Sequence, residues 1–423
     1  MKILLINPPI YDFAAFNLWA RPVGLLKIAS IFKKAGVDFK FYDFLDFSNF
    51  CSSSKMKIKK NGTYNYPKIK VDKPLILPEI KRYFYRYGAQ INDFINFFDD
   101  DYDYVIITSI MTYWYYGVKE IIQLIKKISN ARIILGGIYA NLCKEHAIKV
   151  LNPDYIVNSI QEVLKILNLY IVPDFFPLPL KLYKINSFAP LYTSFGCPYN
   201  CPYCANKFLN PPFFQRSINS VIKDILHYYS LGIKKFAFYD DALLLNKKKH
   251  FIPLVEKIIE MKLDIEFYTP NGLHVNQIDK EIAELLKRAN FKDIRLSLET
   301  ANKNLQKKLG YKTDNTHFEN AIKYLSEAGF TENELNVYLL VGLPYQTYEE
   351  VKESIIFVKN FHSKPRLAEY SPIPHTILWK EALKTAKFDI KNEPLFHNNT
   401  ILPVAHSSIN YDSLNELKLL ARS

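Results

Sequence analysis

Cys197, Cys201 and Cys204 are the residues of this chain whose type and spacing most plainly imply chemistry. They lie in Leu191-Tyr-Thr-Ser-Phe-Gly-Cys197-Pro-Tyr-Asn-Cys201-Pro-Tyr-Cys204-Ala-Asn206, spaced C-x3-C-x2-C after a short apolar run. Pro198 and Pro202 bar a helix, so the segment is expected to be a loop wrapped around something. Three thiolates this close repel one another and oxidise readily unless a cation or a cluster neutralises them. A closed structural zinc site wants four ligands. A cubane iron–sulfur cluster held by three cysteines leaves one iron open to a substrate or cofactor. A zinc knuckle completed by a distant histidine, or three incidental cysteines, are the plainer alternatives.

The spacing, with aromatic Tyr203 just before the third cysteine, resembles the radical S-adenosylmethionine (SAM) superfamily. The resemblance implies a 4Fe-4S cluster on Cys197, Cys201 and Cys204. It also implies SAM chelated to the open iron through its amino and carboxylate groups. One electron would then cleave SAM to a 5′-deoxyadenosyl radical that abstracts hydrogen.

Later segments carry the same resemblance. Phe236-Ala-Phe-Tyr-Asp240-Asp241 resembles the family's contact to the SAM amino group, though paired carboxylates also serve as acid/base couples or helix N-terminal charges. Thr269-Pro-Asn271-Gly272 resembles a recurring family segment and is otherwise a turn. Arg295-Leu-Ser297-Leu-Glu299 matches the family's Ser-x-Glu pattern. Gly342-Leu-Pro-Tyr345-Gln346-Thr347 resembles the Gly-Leu-Pro-Gly-Glu-Thr turn, with Tyr345 and Gln346 replacing Gly and Glu. Pro374-His375-Thr376 resembles Pro-Gly-Thr, with His375 in place of Gly. Tyr203, Asp240, Asn271, Ser297, Glu299 and Gly342 are therefore expected around SAM, and no residue is assigned a catalytic role beyond that.

The elements that must position these residues repeat as strand then helix. Strands are expected near 191–194, 235–239, 266–269, 293–297, 336–341 and 366–370, with capping boxes at Thr316-x-x-Glu319 and Thr347-x-x-Glu350 opening two helices. This is a partial (β/α)6 barrel, in which chemistry sits at the carboxyl ends of the strands. Before it, apolar strands at 2–6, 39–42, 104–108, 132–135 and 154–157 alternate with helices, the first over 23–34 and closed by Gly36. That alternation predicts an α/β, doubly wound (Rossmann-like) parallel sheet. Asn7, Ser109, Gly136 and Gly137 end its strands and would face a ligand or lie in simple turns.

Asn7-Pro8-Pro9, Pro22-x-Gly24-Leu25, Tyr42-Asp43 and Leu135-Gly136-Gly137 resemble the cobalamin-binding domain found ahead of many radical SAM cores. The lower-ligand signature Asp-x-His-x-x-Gly is absent, since no histidine precedes His146. Cobalamin would bind without a histidine on cobalt, or the domain would hold substrate.

Prolines at 173, 177, 179 and 190 mark a connection. The expected organisation is a cobalamin-binding-like domain over 1–168, a linker over 169–189, a radical SAM core over 190–385 and a tail or cap over 386–423, in which His397 and His406 read as surface or cap residues. Ser52–Lys73, with seven lysines and one acidic residue, reads as a solvated surface insertion in preference to a basic lid over the ligand.

Lys+Arg 55 against Asp+Glu 42 gives a net charge of +13, spread mostly over scattered lysines, so nucleic acid is an unlikely partner. Five cysteines, three in one motif, argue against a disulfide framework and for a reducing cytoplasmic setting. Cys51 and Cys143 are too few for an auxiliary cluster. The uncharged run Tyr104–Val118 is shorter than the ~18 apolar residues of a membrane span. The expectation is a radical SAM enzyme acting on a small molecule with a one-electron reductant such as flavodoxin or ferredoxin. Cobalamin-dependent methylation of an unactivated carbon is one version, and cobalamin-independent rearrangement or oxidation the other. A nucleic-acid-binding protein with a structural metal site is the rival from another class; it would show steep salt dependence.

Overall fold

The computed structural model describes residues 1–50, 56–78, 80–99, 101–174 and 176–423. The chain divides into two compact units, one of residues 1–187 with 389–401 and one of residues 188–388 with 402–423.

In the first unit the strands Lys2–Asn7, Asp38–Asp43, Tyr104–Ile107, Arg132–Leu135 and Tyr155–Ile156 form one parallel sheet in the spatial order 2-1-3-4-5. The central strands are near-continuous apolar runs, as strands covered on both faces require. The helix Val23–Ala35 packs Leu25, Ala29 and Phe32 against Ile3, Leu5 and Ile106, and Gly36 closes it in a left-handed turn. The switch point of this order lies between Lys2–Asn7 and Tyr104–Ile107.

A second sheet departs from expectation. Ile10–Asp12, Phe84–Tyr87 and Lys68–Val71 pair antiparallel. Residues 52–55 of the expected insertion lie outside the described residues. Beyond them Tyr64 and Tyr66 are buried in an aromatic cluster with Phe47 and Phe50, so the segment is built into the unit rather than solvated throughout. The proline-rich stretch is likewise packed. Tyr183 is buried, donates to Asp43 at 2.9 Å and lies under the Arg21 guanidinium at 3.8 Å.

The tail divides between the units. Residues 389–401 return to the first one, where Asn398 donates to the buried Asp12 carboxylate at 2.8 Å and Tyr115 donates to Glu393 at 2.9 Å. His397 is 1% exposed, with Nδ1 2.9 Å from Thr112 Oγ1 and Nε2 2.7 Å from the Ile390 carbonyl. It is therefore not a surface residue, whereas His406 is exposed. Burial holds the His397 ring at about 4, below the usual value of 6.5. A depressed histidine keeps its full contribution above the unfolded value and loses it as pH falls. At pH 4.5 the 389–401 segment should be weakened by about 2–3 kcal/mol. The hydrogen-exchange protection factor of that peptide, corrected for the intrinsic rate, should fall between pH 6.5 and 4.5 in the parent, and His397→Asn should lack this acid limb.

In the second unit the parallel strands Ala189–Leu191, Lys235–Phe238 and Glu266–Tyr268 form one sheet. Leu273–His274, Ile294–Glu299, Leu335–Val341 and Lys364–Glu369 form another. These are the six expected barrel strands, with the third broken into two pieces at Thr269–Gly272. Thr347 and Glu350 make the expected capping box. Thr316 does not cap, because Asp314 takes that position first and accepts from the His317 amide at 2.8 Å. Among the described residues no helix is long and apolar enough to cross a membrane.

Candidate functional site

The cysteine loop runs from the short strand Ser194–Phe195 to the short helix Asn206–Leu209. Cys197, Cys201, Cys204 and the distant Cys143 are unpaired thiols, while Cys51 lies outside the described residues. The Cys204 amide donates to the Cys201 carbonyl at 3.1 Å, the turn that Pro202 favours. The loop is held from outside by the Leu378 amide, which donates to the Pro202 carbonyl at 2.8 Å. His375 stacks flat on Phe208 at 4.2 Å. Both His375 and Tyr345, which stand where the family resemblance has glycine, keep a left-handed backbone at φ 67° and 64°.

Burial pushes the Cys197 thiol up to about 11, and the neighbouring Cys201, Cys204 and Asp241 charges act in the same direction. Its surroundings thus penalise a bare thiolate at Cys197. Among the described residues no three His, Cys, Asp or Glu side chains gather around one point as a single metal ion would need. A cubane is wider, because each cysteine takes a different iron. Three unpaired thiols on one loop, mutually in electrostatic reach, fit such a cluster.

Around the loop, the expected residues fall at strand ends but differ in what they touch. Asp240 is 4% exposed. It accepts from the Thr193 amide at 3.1 Å, from Thr193 Oγ1 at 2.6 Å and from Ser194 Oγ at 2.6 Å. Its oxygens are thus committed to the strand that feeds the cysteine loop. The partner carboxylate, Asp241, is half-buried and held by the Asn206 side chain. Burial raises it to about 6, and Asp240 adds to the rise. Asn271 donates to the Tyr239 carbonyl at 3.0 Å and so ties the third strand end to the second. Ser297 is buried where a Cβ on Gly272 would stand 2.7 Å from its hydroxyl. Glu299 accepts from Tyr203 at 2.9 Å and from Lys312 at 3.3 Å. Gly342, expected beside SAM, is packed against Leu402 and Ala405 of the tail; a Cβ there would lie 3.4 and 3.6 Å from them.

Two residues of the site carry no sequence signal. Lys312 is buried between Glu299 and the cysteine loop. His274 is buried edge-on to Tyr199 at 4.7 Å and held neutral, at about 3, chiefly by burial.

The residues expected at the ligand face of the first unit are bonded within it. Asn7 is buried and donates to Asp43 at 2.7 Å. Ser109 donates to the Gly136 carbonyl at 2.8 Å, and the Ala140 amide donates back to its hydroxyl at 3.2 Å. A Cβ on Gly137 would meet the Ser109 backbone at 2.3 Å, so this glycine exists for the approach of another loop. These four residues shape the carboxyl edge of the sheet.

Residues 191–358 match the family model of the radical SAM superfamily. An uncharacterized methyltransferase of Pyrococcus horikoshii, PH0819, is 28% identical over 273 residues, which are 63% of this chain and 55% of that protein. The chain thus spans little more than half of that relative's length. The radical SAM methyltransferase TsrM from Kitasatospora setae, solved with cobalamin and a 4Fe-4S cluster, aligns over 90% of this chain and 74% of its own with a TM-score of 0.66 at 14% identity. The cobalamin-dependent SAM radical enzyme OxsB aligns over 100% of this chain and 61% of its own with a TM-score of 0.59 at 14% identity. Likeness at such identity is one of fold. The family model lies over the cysteine loop and the strand ends around it, so residues 191–358 are similar to the radical SAM superfamily, and the fold ahead of them is like that of the cobalamin-binding neighbours.

Proposed function

We propose that this chain cleaves SAM reductively at a 4Fe-4S cluster on Cys197, Cys201 and Cys204 and directs the resulting radical chemistry at a small-molecule substrate. The observation that carries this is the loop of three unpaired thiols at the carboxyl ends of the barrel strands, with Asp241 and Lys312 beside it. When bound, the cluster and SAM supply one-electron chemistry, drawing on a reductant such as flavodoxin or ferredoxin. The chain's own part is to bind and orient. Asp241, fixed by Asn206, offers an acceptor for the SAM ammonium, while Asp240 holds the loop's root through Thr193 and Ser194. Asn271 and Ser297 define the floor on which SAM would lie.

The reaction class we take up is methyl transfer, the activity in the name of the P. horikoshii relative, in the version that methylates an unactivated carbon with cobalamin in the first unit. Asn7 is bonded to Asp43, and Ser109 is bonded to Gly136 and packed on Gly137, so no step is assigned to these four. Protein produced with ample cobalamin should carry a corrin absorbance. Its absence favours cobalamin-independent rearrangement or oxidation.

The deciding experiment uses anaerobically reconstituted, reduced protein given SAM. The parent should release 5′-deoxyadenosine and Cys201→Ala should fall to background. A parent that takes up zinc and no iron would overturn the proposal.

A further inference from the structure

The resemblance to the superfamily puts Tyr203 and Glu299 around SAM, yet their geometry points inward. The Tyr203 hydroxyl, one residue from Cys204, donates to Glu299 Oε1 at 2.9 Å. The same oxygen accepts from Lys312 Nζ at 3.3 Å. Both charged side chains are nearly out of water, at 10% and 13% exposure for Lys312 and Glu299. The loop bearing Lys312 is pressed onto the cysteine loop, since a Cβ on Gly310 would stand 3.4 Å from the Asn200 carbonyl and 3.6 Å from Pro202 Cδ.

Glu299 is held there at some cost. Its backbone is left-handed at φ 69°, which a residue with a Cβ adopts only where its surroundings impose it. The strand pairing shifts register between Ser297 and Glu299, the kind of irregularity that re-aims a side chain. A buried ammonium needs acceptors or anions on more than one side. Glu299 supplies one; the thiols within electrostatic reach of Lys312 are those of Cys201 and Cys197.

We infer that Tyr203, Glu299 and Lys312 form a brace beneath the cysteine loop in which Lys312 is the fixed counter-charge of the cluster. Glu299 is then the positioning residue of that charge rather than a ligand of SAM. This rests on the proposed function, because it needs the cluster. A cluster held by three thiolates is anionic and gains one more negative charge on accepting an electron. A positive charge fixed beside it in a poorly solvated site favours the reduced form. Removing Lys312 should make reduction harder, and neutralising Glu299 should make it easier. The two variants therefore shift in opposite directions.

The test is an EPR-monitored redox titration of the reconstituted holoprotein with dithionite and mediators, in the absence of SAM. At the parent's midpoint, Lys312→Met should show about a tenfold lower ratio of reduced to oxidised cluster, and Glu299→Gln about a tenfold higher one; a tenfold ratio is ~59 mV for one electron. Lys312→Arg, which keeps the charge, should titrate like the parent. Iron content is measured on each variant. If Lys312→Met fails to hold iron, the isosteric Glu299→Gln decides the question by itself. Unshifted midpoints, with Glu299→Gln instead weakening the SAM-induced change in the EPR spectrum, would overturn the inference and make Glu299 a SAM ligand. A parent that assembles no cluster would overturn the proposed function and the inference with it.

Discussion

Gly117→Ala should cost the first unit about 3 kcal/mol, a large loss for one methyl group. Gly117 lies in the helix Tyr115–Ile128, where alanine is ordinarily the better helix former by about 1 kcal/mol. Here that gain is overwhelmed. A Cβ at this position would stand 1.8 Å from the Pro9 carbonyl oxygen and 2.8 Å from its carbon, both backbone atoms. No rotamer change relieves the clash. Either the helix moves off the chain leaving Lys2–Asn7, or Pro9 is displaced and strains the strand Ile10–Asp12 that follows it. Denaturant unfolding followed through Trp19 and Trp114, both in the first unit, should show the midpoint fall. A variant within about 0.5 kcal/mol of the parent would mean that the approach of helix and loop is not obligatory.

The adjacent carboxylates Asp240 and Asp241 should respond in different currencies. Asp240→Ala strands the Thr193 amide, which cannot turn away, along with two hydroxyls that lose their acceptor. A destabilisation of about 3 kcal/mol is expected, read as a lower unfolding midpoint of the second unit. Asp241→Ala removes a half-buried charge held mainly by Asn206, and stability should change by less than about 1 kcal/mol. Its effect should fall on SAM, with affinity weakened by about tenfold or more through loss of a charge-assisted hydrogen bond. Equilibrium binding of SAM to the reconstituted variants separates the two. If Asp240→Ala were the stable variant with weakened SAM binding, the two roles would be reversed.

The contrast between these neighbours shows what could be read before folding was known. The Asp-Asp pair at a strand end was visible, but which carboxylate turns inward depends on Thr193 and Ser194, 47 and 46 residues earlier. The central parallel strands were legible because Ile3–Ile6, Val105–Ile107 and Ile133–Leu135 are unbroken apolar runs, and the helix closed by Gly36 because its terminator is explicit. The antiparallel sheet of Ile10–Asp12, Lys68–Val71 and Phe84–Tyr87 was not. Its strands mix lysines with aromatics, and the exposed Lys68 and Lys70 lie over the Tyr85 and Tyr83 rings at 4.0 and 3.8 Å. Lys312 was hidden for another reason. One lysine among many gains meaning only when Glu299 and the cysteine loop are folded against it, and neither lies in its own local pattern. His397 looked like a surface residue because nothing around it in sequence marks Thr112 as its partner.

The return of residues 389–401 to the first unit has a consequence for biosynthesis. Chains emerge from the ribosome amino end first, and domains generally fold as they appear. This first unit cannot complete itself that way. Asp12, met by Trp114 at 2.7 Å, waits for Asn398, which is translated 386 residues later. During synthesis the amino-terminal sheet therefore stands with an unfilled seat while the barrel strands are made, and its last contact forms only once residues 389–401 have been translated.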